Sequence, residues 1–369
     1  MMLIRILQDI ALMGGIGVIL ALIRVLAQRW LSNYGEVTIN INGKRDLTVT
    51  GGETLLTSLG DKQIFIPSAC GGRGTCGACK CQILDGGGPI LPTEKPLLTK
   101  QEMGDNVRLA CQVKVKSDIK IQIPDEIFNI RRFHSVIEEI LDYTYDIKGV
   151  TFKLSEGQTI DFKAGQYVQL ETKPYGKVKQ KVMRAYSISS KPEIKDRIQL
   201  IVRLVPEGIC TTWVHNQLKV GDEVDFTGPY GDFYLRDTDA DIIFVAGGSG
   251  SAPIKSMLEH LREVGTKRKM TYFFGARTVK DLYLEEEMRD FEEYFDDFEY
   301  VPVLSHADET DNWQGKTGFV MPYFKEAIRD PKNTEAYLCG SPGMIAAVTK
   351  SLINDYGIAE EKIYYDSFG

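Results

Sequence analysis

Histidine is scarce in this chain. His134, His215, His260 and His306 are scattered and show none of the spacings that gather imidazoles around a metal ion. There is no excess of basic charge either. Lys and Arg total 44 against 51 Asp and Glu, a formal net charge of -7. Phosphate-backbone binding needs a basic surface, so the balance argues against nucleic acid, and no nucleic-acid partner is expected. No low-complexity tract interrupts the chain. A long apolar run is also missing: the uncharged stretch over residues 10–23 has fourteen residues, whereas a membrane span needs about 20. No small-residue cleavage site follows it, so it does not read as a secretory signal. What is present is length and cysteine. A chain of 369 residues favours two or three domains. Five of its seven cysteines fall between residues 70 and 111. Without a secretory signal, such clustering indicates metal or redox chemistry rather than a disulfide scaffold.

The N-terminus reaches spanning length if the window widens to residues 3–26, at the cost of including Arg5, Asp9 and Arg24. The two arginines lie near the ends, where they can snorkel, and Trp30 suits an interfacial anchor. A single membrane anchor over residues 1–32 is expected, with a partner-packed amphipathic helix as the alternative. Arg24 and Arg29 on the C-terminal side, against Arg5 on the other, place the main body in the cytoplasm.

Residues 36–50 alternate apolar and polar around an Asn-Gly turn, the pattern of a β-hairpin. A strand-like stretch over residues 107–123 ends at Pro124, and residues 124–136 read as a linker. Short β-like runs punctuated by Gly and Pro follow as far as residue 234, which suits an antiparallel barrel. After Asp239 apolar strands alternate with helix-like segments, which indicates a parallel α/β sheet. The acidic stretch over residues 284–300 has its carboxylates at helical spacing and reads as a solvated helix face.

The cysteine loop runs Cys70-Gly-Gly-Arg-Gly-Thr-Cys76-Gly-Ala-Cys79, with Cys111 about thirty residues on. Four thiolates can hold a [2Fe–2S] cluster. Gly71, Gly72, Gly74 and Gly77 permit the tight turns and close backbone approach that such a loop needs. A zinc site of four thiolates is the alternative, but zinc usually joins two C-x-x-C pairs rather than three cysteines and one. Cys81 could rival Cys79 as a ligand, though a small buried residue is the simpler reading.

The C-x5-C-x2-C spacing, with the flanks Gly87-Gly-Pro-Ile-Leu-Pro-Thr-Glu94 and Arg108-Leu-Ala-Cys-Gln112, resembles the F subunits of Na+-translocating NADH:quinone oxidoreductases. In that family the four ligands match Cys70, Cys76, Cys79 and Cys111.

Three further motifs resemble the ferredoxin–NADP reductase superfamily. Arg184-Ala-Tyr186-Ser187 lies on a strand, Gly208-Ile-Cys210-Thr211-Thr212 opens a helix, and Gly228-Pro-Tyr-Gly231 closes the barrel. The resemblance implies that Arg184 neutralises the FAD pyrophosphate, that Tyr186 stacks on the flavin ring, and that Ser187 bonds near its reactive nitrogen. Thr211 or Thr212 would cap the phosphates, as amides at a helix N-terminus do. Gly247-Gly248-Ser-Gly250-Ser-Ala-Pro253 follows a strand and precedes a helix, the setting of a dinucleotide-binding loop. By resemblance this loop and Arg277 hold NADH, and Cys339-Gly340 lies beside the nicotinamide. The superfamily usually has Pro directly after that Gly, and Ser341 intervenes here. The tail Tyr365-Asp-Ser-Phe368-Gly369 resembles the family terminus, which implies that Phe368 covers one flavin face.

The chain therefore reads as multidomain. Expected are an N-terminal membrane helix (1–32), an α+β ferredoxin-like β-grasp domain (33–126), an antiparallel β-barrel flavin domain (130–236) and an α/β parallel-sheet nucleotide domain (237–369). The implied activity is hydride transfer from NADH to FAD at a site near Ser187, Cys339 and Phe368, without an acid or base side chain. Single electrons would then pass to the [2Fe–2S] cluster. The implied partners are integral membrane subunits of a respiratory complex in the bacterial inner membrane, with quinone reached indirectly. The segment over residues 171–182 is shorter than the family's usual insertion, which leaves the partner surface open. A reductase component of a multicomponent oxygenase and a membrane-tethered zinc scaffold are the alternatives.

Overall fold

The computed structural model describes residues 13–21, 34–308 and 312–368. Residues 13–21 are helical. The rest of the expected anchor lies outside the described residues, and among those described no helix is long and apolar enough to cross a membrane. The chain divides into two compact units, Met1–Asn129 and Ile130–Gly369.

The first unit holds one five-stranded sheet. Its strands are β1 (Glu36–Ile41), β2 (Arg45–Thr50), β3 (Lys80–Asp85), β4 (Val107–Leu109) and β5 (Ile119–Gln122), in the order β2-β1-β5-β3-β4. β1 and β2 form the expected hairpin, and Asn42 and Gly43 at its turn both take positive φ. β1 also pairs in parallel with β5, so the hairpin lies across the sheet from the cysteine-bearing end. Helix α1 (Leu55–Asp61) starts at Thr54, whose hydroxyl accepts from the Thr57 amide. It buries Leu55 and Leu59 completely. The stretch expected as one strand over 107–123 is two strands, β4 and β5, with a loop between that carries Cys111. Helix α2 (Lys100–Gly104) begins with a capping box of Thr99 and Glu102.

The second unit begins with six strands: β6 (Arg131–Asp142), β7 (Ile147–Leu154), β8 (Tyr167–Glu171), β9 (Met183–Ser187), β10 (Arg197–Arg203) and β11 (Glu223–Tyr230). They pair antiparallel in the order β10-β7-β6-β11-β8-β9. A bridge between Ile188 and Leu200 brings the two ends together, so the sheet is a nearly closed barrel. Its interior packs Phe133, Phe152, Val168, Leu200 and Phe226. Much of the linker expected over 124–136 is in fact strand, because β6 starts at Arg131. The alternation there is hidden by a small polar inward residue, Ser135, and by a register shift between Ile137 and Glu139. Helix α3 (Ile209–Asn216) leaves the barrel after β10.

The remaining strands are β12 (Asp241–Gly247), β13 (Met270–Ala276), β14 (Phe298–Leu304), β15 (Lys316–Thr317), β16 (Thr334–Gly340) and β17 (Ile363–Ser367). All pair in parallel, in the order β15-β14-β13-β12-β16-β17. Helices α4 (Ser251–Val264), α5 (Glu285–Tyr294), α6 (Phe324–Ala327) and α7 (Pro342–Asn354) lie between them. The acidic segment forms α5, which buries Met288 and Phe291; Glu286, Asp290 and Glu293 are exposed, as the spacing predicts, while Glu287 pairs with the buried Lys255. The strand order reverses at β12, whose neighbours are β13 and β16. The carboxyl edge of β12 is thus the topological switch point where such sheets bind ligands.

Candidate functional site

In the first unit, Cys70 is half-buried, Cys76 exposed, and Cys79 and Cys111 buried; none forms a disulfide. Gly71, Gly72, Gly74 and Gly77 all take positive φ, between 66° and 83°. The loop path is therefore one that residues with a Cβ rarely adopt. The thiols meet in two pairs. Cys70 contacts Cys76, and Cys79 contacts Cys111. Among the described residues no three His, Cys, Asp or Glu side chains converge as a single-ion site. Two thiol pairs suit two metal centres with two protein sulfurs each, the donor set of a [2Fe–2S] cluster. One thiol of each pair ionises easily. Burial pushes Cys70 up, but the Thr75 and Cys76 amides and the neighbouring thiol outweigh this and bring it down to about 6. Cys111 is brought down to about 7, first by the Cys79 thiol, against burial, with help from Gln112. The thiolate is the ligand form. Cys81 lies in β3, fully enclosed, and burial pushes its thiol up to about 12, which suits a packed residue.

The flanks of the cysteine loop are tied together by a buried ion pair that no local pattern announces. Glu94 and Arg108 are 0% and 3% exposed. Arg108 Nη2 donates to Glu94 Oε2 at 2.6 Å and Nε to Oε1 at 2.9 Å. Arg108 Nη1 also donates to the carbonyls of Gly87 and Gly88, and Glu94 accepts from the amides of Leu91 and Leu109. Every polar atom of the pair thus has a partner, which a buried pair requires. Two residues after Leu109 comes Cys111, and the Ala110 amide donates to the Cys79 carbonyl at 2.8 Å. The pair therefore holds the Cys111 segment against the three-cysteine loop.

In the second unit, Arg184, Tyr186 and Ser187 lie along β9. Tyr186 hydrogen-bonds the Cys210 thiol at the start of α3, and Arg184 is close enough to act electrostatically on Cys210. Helix α3 begins at Gly208 with no side-chain cap, so its first amides are open to an anion beside Arg184. The Thr211 hydroxyl is already engaged with the backbone of Val205 and Gly208, while Thr212 is half-buried on the same turn. Gly228 and Gly231 have a packing reason: a Cβ would stand 2.9 Å from Val168 Cγ1 or from the Tyr167 ring.

Gly247 ends β12, and Gly248 and Gly250 form the turn into α4, which buries Pro253. A Cβ on Gly250 would lie 2.2 Å from the Cys339 carbonyl, so only glycine lets the loop approach β16 this closely. Tyr283 holds the loop from outside: its hydroxyl donates to the Gly248 carbonyl at 2.8 Å and contacts the Ser251 hydroxyl. In front of this loop lies a cleft of about 490 Å³. Gly248, Gly275, Gly318 and Gly343 line it, as does Arg277, and Asp146 and Arg203 reach in from the barrel. A glycine-lined trough at the switch point fits an extended dinucleotide.

Ser187, Cys339 and the tail come together. Ser187 Oγ donates to Asp366 Oδ2 at 3.4 Å. Asp366 pairs in register with Cys339, and the Phe368 amide donates to the Gly340 carbonyl at 2.8 Å. Cys339 is fully buried, which pushes its thiol well up and keeps it neutral. Burial also raises the Asp366 carboxyl above its ordinary range, with partial relief from Ser187. Sequence alone does not single out Asp366, although it lies within the family-like tail; only the β16–β17 pairing gives it a neighbour.

Three family models match along the chain. They are a 2Fe-2S iron-sulfur cluster binding domain over residues 39–116, an oxidoreductase FAD-binding domain over 135–234, and an oxidoreductase NAD-binding domain over 244–350. Among curated relatives, the F subunit of the Na(+)-translocating NADH-quinone reductase of Marinomonas sp. (strain MWYL1) is 36% identical, across 95% of this chain and 96% of that protein. Its counterpart in Neisseria meningitidis (strain MC58) is 34% identical across 99% and 100%. The chain belongs to the family of F subunits of Na(+)-translocating NADH-quinone reductases. The family's cofactors, FAD and a [2Fe–2S] cluster with NADH as substrate, are those its three domains are built for. Among solved structures, an Amycolatopsis cytochrome P450 reductase is similar with a TM-score of 0.73 and 27% identity, covering 90% of this chain and 98% of that one. A ferredoxin reductase in carbazole 1,9a-dioxygenase is similar with a TM-score of 0.70 and 25% identity, covering 91% and 99%. Both are covered over nearly their whole length, so this architecture alone does not discriminate against the oxygenase-reductase alternative. The near-full-length kinship to the F subunits does, and the iron–sulfur match displaces the zinc scaffold.

Proposed function

We propose that this chain is the NADH-oxidising member of a membrane-bound respiratory complex, passing electrons through FAD and a [2Fe–2S] cluster to partner subunits and ultimately to quinone. When bound, FAD accepts the two electrons of a hydride together and releases them singly, which matches a cluster that takes one at a time. Cys70, Cys76, Cys79 and Cys111 hold the cluster. Arg184 and the open amides of α3 hold the FAD pyrophosphate, with Thr212 rather than the occupied Thr211 as the capping hydroxyl. Gly208 opens that helix, and Gly228 and Gly231 close the barrel wall. Tyr186, fixed by Cys210, orients the flavin ring, and Phe368 shields it from water. Gly247, Gly248, Gly250 and Pro253 cradle the NADH pyrophosphate. Arg277 and Gly340 bound the dinucleotide cleft, and neutral Cys339 packs beside the nicotinamide without acting as a nucleophile. Asp366 accepts the Ser187 hydroxyl hydrogen bond and so positions that side chain at the flavin edge.

The observation that carries this reading is the meeting of Ser187, Cys339 and Asp366, drawn from the barrel and from two strands of the nucleotide sheet, at the edge where the glycine loop opens. The domain bounds 33–126, 130–236 and 237–369 follow from the same assignment. Residues 1–32 act as a single membrane anchor with the main body on the cytoplasmic side, supported by the interfacial Trp30 and the arginine asymmetry. The test is an anaerobic NADH titration of the detergent-solubilised protein, followed by visible absorbance and low-temperature EPR. Flavin bleaching with a rhombic [2Fe–2S] signal is expected. Bleaching without the signal in cluster-loaded protein would reduce the chain to a simple flavin reductase. Retention in the membrane after alkaline carbonate extraction tests the anchor; release would remove it.

A further inference from the structure

The fourth cluster cysteine has a side-chain neighbour that the electron path above does not use. Gln112 directly follows Cys111 and is half-buried. Its Nε2 lies 3.5 Å from Cys111 Sγ and 3.4 Å from the Cys111 carbonyl. Thr93 Oγ1 donates to Gln112 Oε1 at 3.2 Å. A carboxamide has one donor end and one acceptor end, and a thiolate sulfur only accepts. By holding the oxygen, the Thr93 hydroxyl turns the NH2 group toward the sulfur. Gly74 makes room for it: a Cβ there would stand 2.6 Å from Gln112 Nε2. Thr93 is itself held in place, because it immediately precedes Glu94, whose carboxylate is locked by Arg108 and two amides.

The geometry points to Gln112 as the residue that tunes the reduction potential of the [2Fe–2S] cluster through Cys111, with Thr93 as the positioning residue that aims its amide. This rests on the cluster reading above. Reduction adds one electron to the cluster and makes its sulfurs more negative. A donor aimed at sulfur therefore stabilises the reduced form more than the oxidised one and raises the potential. Removing that donor lowers it.

The experiment is an EPR-monitored redox titration, with dithionite and mediators, of the full detergent-solubilised chain carrying its cluster. Wild type is compared with Gln112→Leu, Thr93→Val and Thr93→Ser. Expected is a shift to more negative potential in Gln112→Leu and a smaller shift the same way in Thr93→Val. Thr93→Ser, which keeps the hydroxyl, should stay at the wild-type value. Should Gln112→Leu fail to assemble a cluster, the Thr93 pair decides: a negative shift in the valine variant that serine restores upholds the inference. A cluster-bearing Gln112→Leu at the wild-type potential overturns it, as does a Thr93→Val shift that serine does not restore. A wild-type protein without any [2Fe–2S] signal would instead overturn the cluster reading itself.

Discussion

The two units build their redox sites in opposite ways. In the first, three of the four cysteines proposed as ligands come from ten consecutive residues, and the fourth is about thirty residues away in the same small domain. In the second, Ser187, Cys339 and Asp366 come from strands separated by up to 179 residues and meet only through the barrel and the sheet. A site made by one loop depends on local backbone geometry. A site made by several strands depends on the packing of the whole unit.

The largest expected effect separates the two sites outright. Cys76→Ser should abolish the [2Fe–2S] EPR signal while NADH still bleaches the flavin; loss of bleaching as well would show that the sites are not independent. Next is the ion pair behind the cysteine loop. Glu94→Ala leaves Arg108 buried without its partner, which costs about 3–5 kcal/mol. Cluster loss on denaturant titration should move to lower concentration while flavin release keeps its wild-type midpoint.

Asp366→Ala removes the acceptor that holds the Ser187 hydroxyl. Losing that hydrogen bond, worth about 1.5 kcal/mol, should slow NADH-driven flavin turnover by about tenfold. FAD content should stay at the wild-type value, and a turnover rate equal to wild type would remove the positioning role. The smallest effect is at the glycine loop. Tyr283→Phe loses hydrogen bonds worth about 1 kcal/mol, which should raise the KM for NADH about fivefold with kcat unchanged.

The buried acids of the two sites also respond to pH in opposite senses. Burial raises Glu94, but Arg108 and the amides of Leu91 and Leu109 outweigh it, so its carboxyl lies below the ordinary 4.5. Its contribution is complete above that value and is lost as pH falls through the lowered folded value. Asp366 lies above the ordinary 3.8. Its contribution is complete below 3.8 and is lost as pH rises through the raised folded value. Acid titration should therefore weaken the cluster domain through Glu94 while the Asp366 contribution is retained, and Glu94→Gln should flatten the acid limb of cluster loss.

Much of this architecture was legible in the chain. The Asn-Gly hairpin, the three-plus-one cysteines, the glycine loop after a strand and the acidic helix each depend on neighbours within a few residues. Strand β6 was not, because Ser135 and the register shift beyond Ile137 break its alternation. The division of labour between Thr211 and Thr212 was not either, since it depends on which hydroxyl the backbone of Val205 occupies.

By itself, then, the sequence determined which chemistry the chain can hold: cysteine spacing, glycine placement and the R-x-Y-S motif act through local backbone geometry, which short-range order encodes. Only the tertiary structure decided how the sites are supported. Glu94 and Arg108 are fourteen residues apart, and Ser187 and Asp366 are 179 apart. No local pattern distinguishes those acids from solvated ones. Burial does, because a charge withdrawn from water must find its partner wherever the fold brings one.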